Sequence, residues 1–181
     1  MKQALLQETV TIPQEITLEL DGSLFKIVGP KGVIQRRLEY PFISIQKIEG
    51  KVIISAKNAT KKHKTIINTF KSHVKNMIKG VQEGYEYQIK ICYTHFPITI
   101  TIKDNEATIK NFLGAKVPLV AKILPGVKVT LNGDVITLVG HDKEAVGQTS
   151  ANFEKATVIR NRDRRKFQDG CYIFVKAGKK L

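Results

Sequence analysis

The residues best suited to bind a ligand form a dense basic run late in the 181-residue sequence. Five cations fall within seven residues, separated only by one Asn and one Asp; they are Arg160, Arg162, Arg164, Arg165 and Lys166. Arg can hold a phosphate through two parallel hydrogen bonds, and cations that neutralise phosphates release counterions from a nucleic acid. The run therefore predicts contact with a folded RNA, and a merely solvated charge run is the alternative.

Neighbouring residues extend this candidate RNA-binding site. Phe167 and Tyr172 could stack on a base, or they could fill core. Lys176 and Lys179 belong to the same basic stretch, residues 155–181, which carries nine basic and two acidic side chains. Together with residues 58–80, which carry six Lys and no acid, it holds 13 of the 14 net positive charges. Such a concentrated excess indicates a polyanionic partner.

Other residue types that could support catalysis or metal binding favour structural roles. Cys92 and His95 lie three apart in a predicted strand, so their side chains point to opposite faces. Gly29 and Gly32 have the spacing of a Gly-x-x-Gly phosphate clamp, but predicted strands rather than helices flank them, which favours a turn. No Ser-His-Asp order, paired carboxylates or nucleophile elbow is present. We therefore expect no enzymatic activity, no cofactor and no metal.

The elements that must position these residues form an internal repeat. In each half, alternating apolar strands precede one helical stretch, which predicts an α+β fold of two tandem domains, each a mainly antiparallel sheet packed on one helix. Residues 1–84 are predicted as the first repeat, and residues 85–181 as the second repeat with the basic RNA-binding segment near its C-terminal end. The landmarks that recur at nearly one offset are Gly32 and Gly114, Gly50 and Gly133, and Pro13 and Pro97.

Turn signals and periodicity place the elements within each repeat. Asp21-Gly22, Asp104-Asn105 and Asn132-Gly133 predict tight hairpins between alternating strands. Apolar residues at spacings of three and four predict helices over residues 60–79, with Gly80 as the C-cap, and over residues 142–157. Lysines gather on one face of the first helix. Phosphate contact by that face stays open, because such faces are often only solvated surface.

Composition narrows the class of protein further. The sequence contains no run of eighteen apolar residues, and only Cys92 and Cys171 are present. We therefore expect a soluble protein of a reducing compartment, with no membrane partner. An apolar fraction of 42% is ordinary for a protein with a packed core.

Four short segments together resemble one known family. They are residues 72–81 (SHVKNMIKGV), 95–98 (HFPI), 111–114 (NFLG) and 165–172 (RKFQDGCY). These segments are similar to the archaeal and eukaryotic branch of the universal large-subunit ribosomal protein six family, called protein nine in eukaryotic ribosomes. The similarity covers residues 8–176, nearly the whole chain. Lys155, Cys171 and the short tail depart from the family pattern.

The resemblance implies two tandem domains of one duplicated α+β fold and a structural role in the large subunit of cytoplasmic ribosomes, with nucleolar assembly if the source is eukaryotic. It implies binding to large-subunit ribosomal RNA near the sarcin-ricin loop and the elongation-factor site at the stalk base. Neighbouring ribosomal proteins and nearby elongation factors are the other implied partners, and no homo-oligomer is expected. The family's RNA contacts map here onto residues 160–166, Phe167, Tyr172 and Lys176.

Two rival functions stay open on the sequence alone. A free RNA-binding translation or assembly factor would share the charge pattern but would cycle on and off ribosomes. An RNA-modifying enzyme with a duplicated domain would need a catalytic carboxylate or metal cluster in a cleft. The sequence shows neither of these catalytic features.

Overall fold

The computed structural model describes residues 3–48 and 50–181. The chain divides into two compact units, one ending at Gly84 and the other beginning at Tyr85. Each unit contains one long helix, and every strand pairing in the described residues is antiparallel. The predicted α+β fold is therefore confirmed.

The first unit consists of two three-stranded sheets and a helix around one apolar core. Its elements are β1 (Gln3–Thr11), β2 (Thr17–Asp21), β3 (Leu24–Gly29), β4 (Gly32–Arg37), β5 (Ile43–Ile48), β6 (Lys51–Ala59) and α1 (Lys61–Gln82). The sheets have the orders β1-β6-β5 and β2-β3-β4. Alternate residues of β3 and β6 reach the core, where Phe25, Ile27, Val52 and Ile54 are fully buried beside Ile67 of α1.

Helix α1 begins where the sequence indicates but ends later. Thr60 is the N-cap: its hydroxyl accepts a hydrogen bond from the His63 N–H, and His63 Nδ1 accepts one from the Thr60 N–H, both at 3.4 Å. The predicted C-cap at Gly80 is wrong. Gly80 is buried inside the helix, which continues because Val81 still packs in the core. Gly84, in the left-handed conformation at φ +78°, follows the helix and donates its N–H to the Gly80 carbonyl.

The second unit repeats this arrangement and adds two strands. Its elements are β7 (Tyr85–Cys92), β8 (Thr99–Lys103), β9 (Glu106–Lys110), a short 3-10 helix (Phe112–Gly114), β10 (Leu119–Lys122), β11 (Val127–Asn132), β12 (Val135–Gly140), α2 (Lys143–Ala156), β13 (Gly170–Lys176) and β14 (Lys179–Lys180). One sheet has the order β10-β9-β8, and the other has the order β11-β12-β7-β13-β14. Asp142 caps α2 by accepting the Glu144 N–H at 2.9 Å.

The strand orders confirm the predicted duplication. β1-β6-β5 in the first unit has the same order and the same antiparallel pairing as β7-β12-β11 in the second. β2-β3-β4 likewise corresponds to β8-β9-β10. In each unit the strands are shared between two sheets. Within residues 3–48 and 50–181, only the second unit carries a further strand pair, β13 and β14, on the outer edge of its first strand.

The predicted hairpins form, with small shifts in register. Asp104-Asn105 links β8 to β9 as expected. The other two turns are one residue later, at Gly22-Ser23 and Gly133-Asp134, because the strands on their N-terminal sides continue pairing through Asp21 and Asn132. Both glycines have positive φ, which favours glycine at a tight turn.

The Gly29–Gly32 segment is the turn between β3 and β4, as predicted. A Cβ atom at Gly29 would lie 2.8 Å from the Val81 side chain, so the end of α1 packs directly on the turn backbone. The Lys31 N–H donates to the Val81 carbonyl at 2.9 Å. The glycine spacing therefore serves packing rather than phosphate binding. Among the described residues, no helix is long and apolar enough to cross a membrane.

Candidate nucleic-acid interface

The basic run lies in an irregular connection between α2 and β13, residues 158–169, here called the basic segment. The five predicted cations are all solvent-exposed; they are Arg160, Arg162, Arg164, Arg165 and Lys166. A loop can expose this many cations because none of them must face the core. The backbone of the segment is nevertheless fixed by hydrogen bonds formed near both of its ends and by others formed within it.

Asp163 organises the middle of the basic segment. Its carboxylate accepts hydrogen bonds from the Arg165 backbone N–H at 2.9 Å and from the Arg165 guanidinium at 3.1 and 3.2 Å. These bonds hold the pKa of Asp163 below its usual value. Its carbonyl accepts the N–H groups of Lys166 and Phe167. The guanidinium of Arg165 is therefore already engaged, whereas Arg160 and Lys166 form no ion pair within the described residues.

Phe167 supports Arg162 rather than standing free. The Arg162 guanidinium lies 4.7 Å from the centre of the Phe167 ring, a cation–π arrangement. The His95 ring stacks on Phe167 at 5.0 Å between centres. Phe167 is half-buried and packs against the core of the second unit. The Phe167 ring therefore already has two protein partners. Stacking of this ring on an RNA base stays a prediction.

Asp169 fixes the end of the basic segment to the loop after β7. Its side chain is only 1% exposed, and its carboxylate accepts four hydrogen bonds at 2.8 to 3.2 Å, from the N–H groups of Thr94 and His95, the Thr94 hydroxyl and His95 Nδ1. Burial by itself raises the pKa of Asp169, but the hydrogen bonds outweigh it and lower the pKa to about 2. We call these three residues the Asp169 cluster. It joins two segments that are separate in the sequence.

The C-terminal end of α2 holds the start of β13. The Cys171 N–H donates to the Thr157 hydroxyl at 2.9 Å, and this hydroxyl donates to the Phe153 carbonyl at 3.1 Å. Thr157 is 3% exposed. A Cβ atom at Gly170, whose φ is +145°, would lie 3.3 Å from the Thr157 carbonyl oxygen. The positive φ and the close approach of these two backbones together favour glycine at the end of the basic segment.

The remaining predicted site residues lie on β13 and β14. Tyr172 is half-buried, and its hydroxyl donates to the Asp169 carbonyl at 3.3 Å. Burial raises the pKa of Tyr172, and the nearby Arg164 opposes this rise. Lys176 and Lys179 are exposed and lie directly opposite each other across the β13–β14 hairpin. Like charges in this position repel, so an anion placed between them would stabilise the hairpin.

Comparison with known proteins supplies the family. The model of the family described as "Ribosomal protein L6" matches twice, over residues 12–84 and 96–170. The chain is 44% identical over 178 residues to the large ribosomal subunit protein uL6 of Methanococcus vannielii, covering 98% of each chain. It is 43% identical over 172 residues to the protein of the same name from Methanosarcina mazei, covering 95% of this chain and 98% of the relative.

The chain belongs to the ribosomal protein L6 family. It is a structural protein of the large ribosomal subunit and not an enzyme, and as such it associates with large-subunit RNA and other ribosomal proteins. This membership sets aside both rivals, the cycling factor and the RNA-modifying enzyme. The double match also agrees with the duplicated topology. The second match runs from residue 96 to residue 170, so it includes the basic segment and Asp169 but neither Thr94 and His95 nor β13 beyond its first residue.

In this L6-family chain, the lysine face of α1 is partly neutralised. Lys71 pairs with Glu8 of β1 at 2.6 Å, and Lys79 pairs with Glu83 at 3.5 Å. The hydrogen bond and charge of Lys71 lower the pKa of Glu8. A cleft of about 520 Å³ lies beside this face, lined in part by β1 and by Lys75.

The histidine and cysteine predictions have a clear structural outcome. His63, in the first turn of α1, completes the capping box with Thr60. The prediction that His95 lies in a strand with Cys92 is wrong: β7 ends at Cys92, and His95 lies in the loop after it, where it belongs to the Asp169 cluster. No group of three His, Cys, Asp or Glu side chains that could hold a metal occurs among the described residues. Cys171 is buried, and burial raises the pKa of its thiol to about 11. The sequence reasoning missed Asp169 and Thr157; the signal available was a lone acid next to Gly170, at the junction of a basic run and a strand.

Proposed function

We propose that this chain binds large-subunit ribosomal RNA near the sarcin-ricin loop and the elongation-factor site at the stalk base, through the basic segment and the β13–β14 hairpin. The contacting residues would be Arg160, Arg162, Arg164, Arg165, Lys166, Phe167, Tyr172, Lys176 and Lys179. Elongation factors would act nearby, in cytoplasmic ribosomes. Through this position the protein would support translation. The location on the RNA rests on the family resemblance.

The observation that carries the RNA-binding surface is a set of exposed cations on an anchored loop. The backbone of the basic segment is held by Asp163, by the Asp169 cluster and by Thr157, all within the second unit. A loop fixed in this way loses little conformational entropy on binding RNA. Its cations are all exposed, and Arg160 and Lys166, which form no ion pair within the described residues, can contact phosphates without breaking one. A merely solvated charge run would need no such anchoring.

Replacement of Arg160, Arg162, Arg164, Arg165 and Lys166 by Gln tests the surface. The matched control replaces five exposed lysines elsewhere in the second unit, namely Lys103, Lys110, Lys116, Lys122 and Lys128. We expect the first variant to lose most of its affinity for large-subunit RNA, with nearly unchanged thermal unfolding, and the control to retain most of its affinity. For about five phosphate contacts, log affinity of the wild type should fall with log salt at a slope of roughly −3.5 to −4.5. Equal losses in both variants would contradict the proposed surface.

Chemical probing of the RNA tests the location. Large subunits reconstituted with and without the protein would be compared nucleotide by nucleotide. We expect protection at the sarcin-ricin loop and the stalk base, and this protection should disappear with the five-Gln variant. Protection confined to other regions of the RNA would contradict the proposed location, while leaving the RNA-binding surface standing.

A further inference from the structure

A cleft of about 890 Å³ opens beside the basic segment, in the second unit. Its volume falls in the range of roughly 300 to 1,000 Å³ that is typical of sites for small ligands. One wall is the surface of the sheet at β7 and β13, and another is the basic segment with Arg164 and Gln168. The cleft is therefore continuous with the surface proposed to bind RNA.

Strand register fixes which side chains the sheet presents to the cleft. Lys90 lies directly opposite Tyr172, and Cys92 lies opposite Gly170. Because opposed residues share a face and the face alternates along a strand, Lys90, Cys92 and Tyr172 are on the same side of the sheet. Ile91 and Cys171, the pair between them, are buried on the core side. The cleft thus lies on the outer face of the sheet, away from the core.

The cleft combines the three kinds of group that single-stranded RNA recognition uses. Tyr172 and Tyr93 supply aromatic rings, and Tyr93 is 43% exposed. Arg164 and Lys90 supply positive charge. The Gln168 amide can both donate and accept hydrogen bonds, and the Asp134 carboxylate on the cleft wall can accept them from base N–H groups. Exposed aromatics on a sheet, flanked by cations, are a common arrangement for holding unstacked bases.

We propose that this cleft accepts one unstacked nucleotide of the ribosomal RNA, with its base against Tyr172 and Tyr93 and its phosphate near Arg164 and Lys90. This inference rests on the proposed function, since the RNA must first bind the basic segment. It adds to the proposed function a contact with a base, in addition to the contacts with phosphates. Phosphate contacts on the basic segment position the RNA, whereas an enclosed base is read by shape and hydrogen bonding.

Cys92 provides a reporter inside the cleft. Its side chain is half-exposed on the cleft wall, so it is open to alkylation in the free protein. Cys171 is 1% exposed and has a raised pKa, which makes it a built-in unreactive reference. The probe is iodoacetamide, and the rate at Cys92 is followed by mass spectrometry for the free protein and for the protein in reconstituted large subunits. We expect alkylation of Cys92 to slow markedly in the subunit.

Substitutions at the aromatic residues separate an inserted base from RNA that merely covers the cleft. Tyr172→Phe keeps the ring and should retain RNA affinity, while Tyr172→Leu should weaken it about 5- to 150-fold. Tyr93→Leu, at a more exposed position, should weaken it in the same direction without loss of fold. In subunits carrying either Leu variant, one nucleotide should become reactive to chemical probing.

The outcomes distinguish the two proposals. If the RNA binds with normal affinity but Cys92 is alkylated as fast as in the free protein, or if both Leu variants bind like wild type, the cleft is not a nucleotide site and the proposed function stands. If the protein fails to bind the RNA at all, the proposed function fails, and the nucleotide site fails with it. Slowed alkylation together with weakened Leu variants supports the nucleotide site.

Discussion

The two units share one topology but differ at the outer edge of their first strand. In the first unit the edge of β1 has no neighbouring strand among the described residues, whereas in the second unit the equivalent edge of β7 carries β13. Ile54 and Leu138 are each the fourth residue of their strands, β6 and β12. Glu8 lies opposite Ile54 and Tyr87 lies opposite Leu138, so Glu8 and Tyr87 occupy equivalent positions in the two units. Glu8 forms an ion pair with Lys71, whereas Tyr87 is 2% exposed.

This difference shows how a duplicated fold acquires a specialised half. An uncovered edge must remain polar to resist pairing with other chains, and the charged pair at Glu8 and Lys71 serves that purpose. Once β13 covers the equivalent edge, an aromatic residue can be buried there. The same strand ends the basic segment and supplies Tyr172 to the cleft.

The largest effect is expected from Asp169→Ala. The substitution removes a buried carboxylate and leaves the N–H groups of Thr94 and His95 without their acceptor, so we expect a loss of about 3 kcal/mol in the free energy of unfolding. RNA affinity should fall as well, because the end of the basic segment is released. Denaturant unfolding and RNA binding are the measurements. Glu8→Ala in the first unit is the control and should cost much less; an equal loss would mean that the two edges are equivalent.

The acid sensitivity of the second unit should come mainly from the same carboxylate, because Asp163, whose pKa is also lowered, is exposed. The folded-state pKa of Asp169 is lowered from 3.8 to about 2, so the folded protein binds fewer protons than the unfolded chain between these values. The stabilisation, about 2 kcal/mol, is complete above the unfolded pKa and is lost as the pH falls from about 4 to about 2. Unfolding free energies of wild type and Asp169→Asn, measured from pH 6 to pH 2, should converge at the acidic end. Parallel curves would contradict this account.

Thr157→Val tests the attachment of β13 to α2. The substitution keeps the shape of the side chain but removes the acceptor for the buried Cys171 N–H, which should cost about 1 to 2 kcal/mol. The loss should be confined to the second unit. Hydrogen exchange can check this, since amides of β13 should exchange faster while those of α1 do not change. Faster exchange in both units would show that Thr157 has a wider structural role.

The smallest effect is expected at the β13–β14 hairpin, and it should have opposite signs in two measurements. Lys179→Glu replaces the repulsion with Lys176 by an attraction, which should stabilise the free protein by about 0.2 to 1 kcal/mol. The same change should weaken RNA binding, because it places a negative charge where a phosphate is expected. Lys179→Gln, the neutral control, should lie between wild type and Glu in both measurements. Unchanged RNA affinity in the Glu variant would remove the hairpin from the interface.

Local pattern was enough to predict the duplication, the hairpins, both helices and the irregular basic segment, because each depends on alternation, period or charge within a short stretch. It was not enough to predict strand β1 or the place of β13 beside β7, since pairing between distant strands leaves no local trace. The C-cap at Gly80 failed for a related reason: buried packing of Val81 outweighed the tendency of glycine to end a helix.

The candidate site likewise contains features that follow from local pattern and features that follow from pairing between distant strands. The exposed cations could be read directly from the sequence, because their spacing carries the signal. The Asp169 cluster could not, because Thr94 and Asp169 are 75 residues apart and meet only through the β7–β13 pairing. The stacking of His95 on Phe167 also depends on that pairing, whereas the contact of Arg162 with Phe167 is local. The sequence thus supplies the charge of the site, and the fold supplies its geometry.

The β7–β13 pairing also has a consequence for the order of events during synthesis. Strands β1 to β6 and helix α1 lie together in the sequence, so the first unit has all its contacts available early, and domains near the N-terminus generally fold first. The Asp169 cluster can form only after the chain has been made beyond β13. We therefore expect a partly synthesised chain to carry its arginines on an unanchored loop, so that the RNA-binding geometry becomes available only to chains synthesised past this strand.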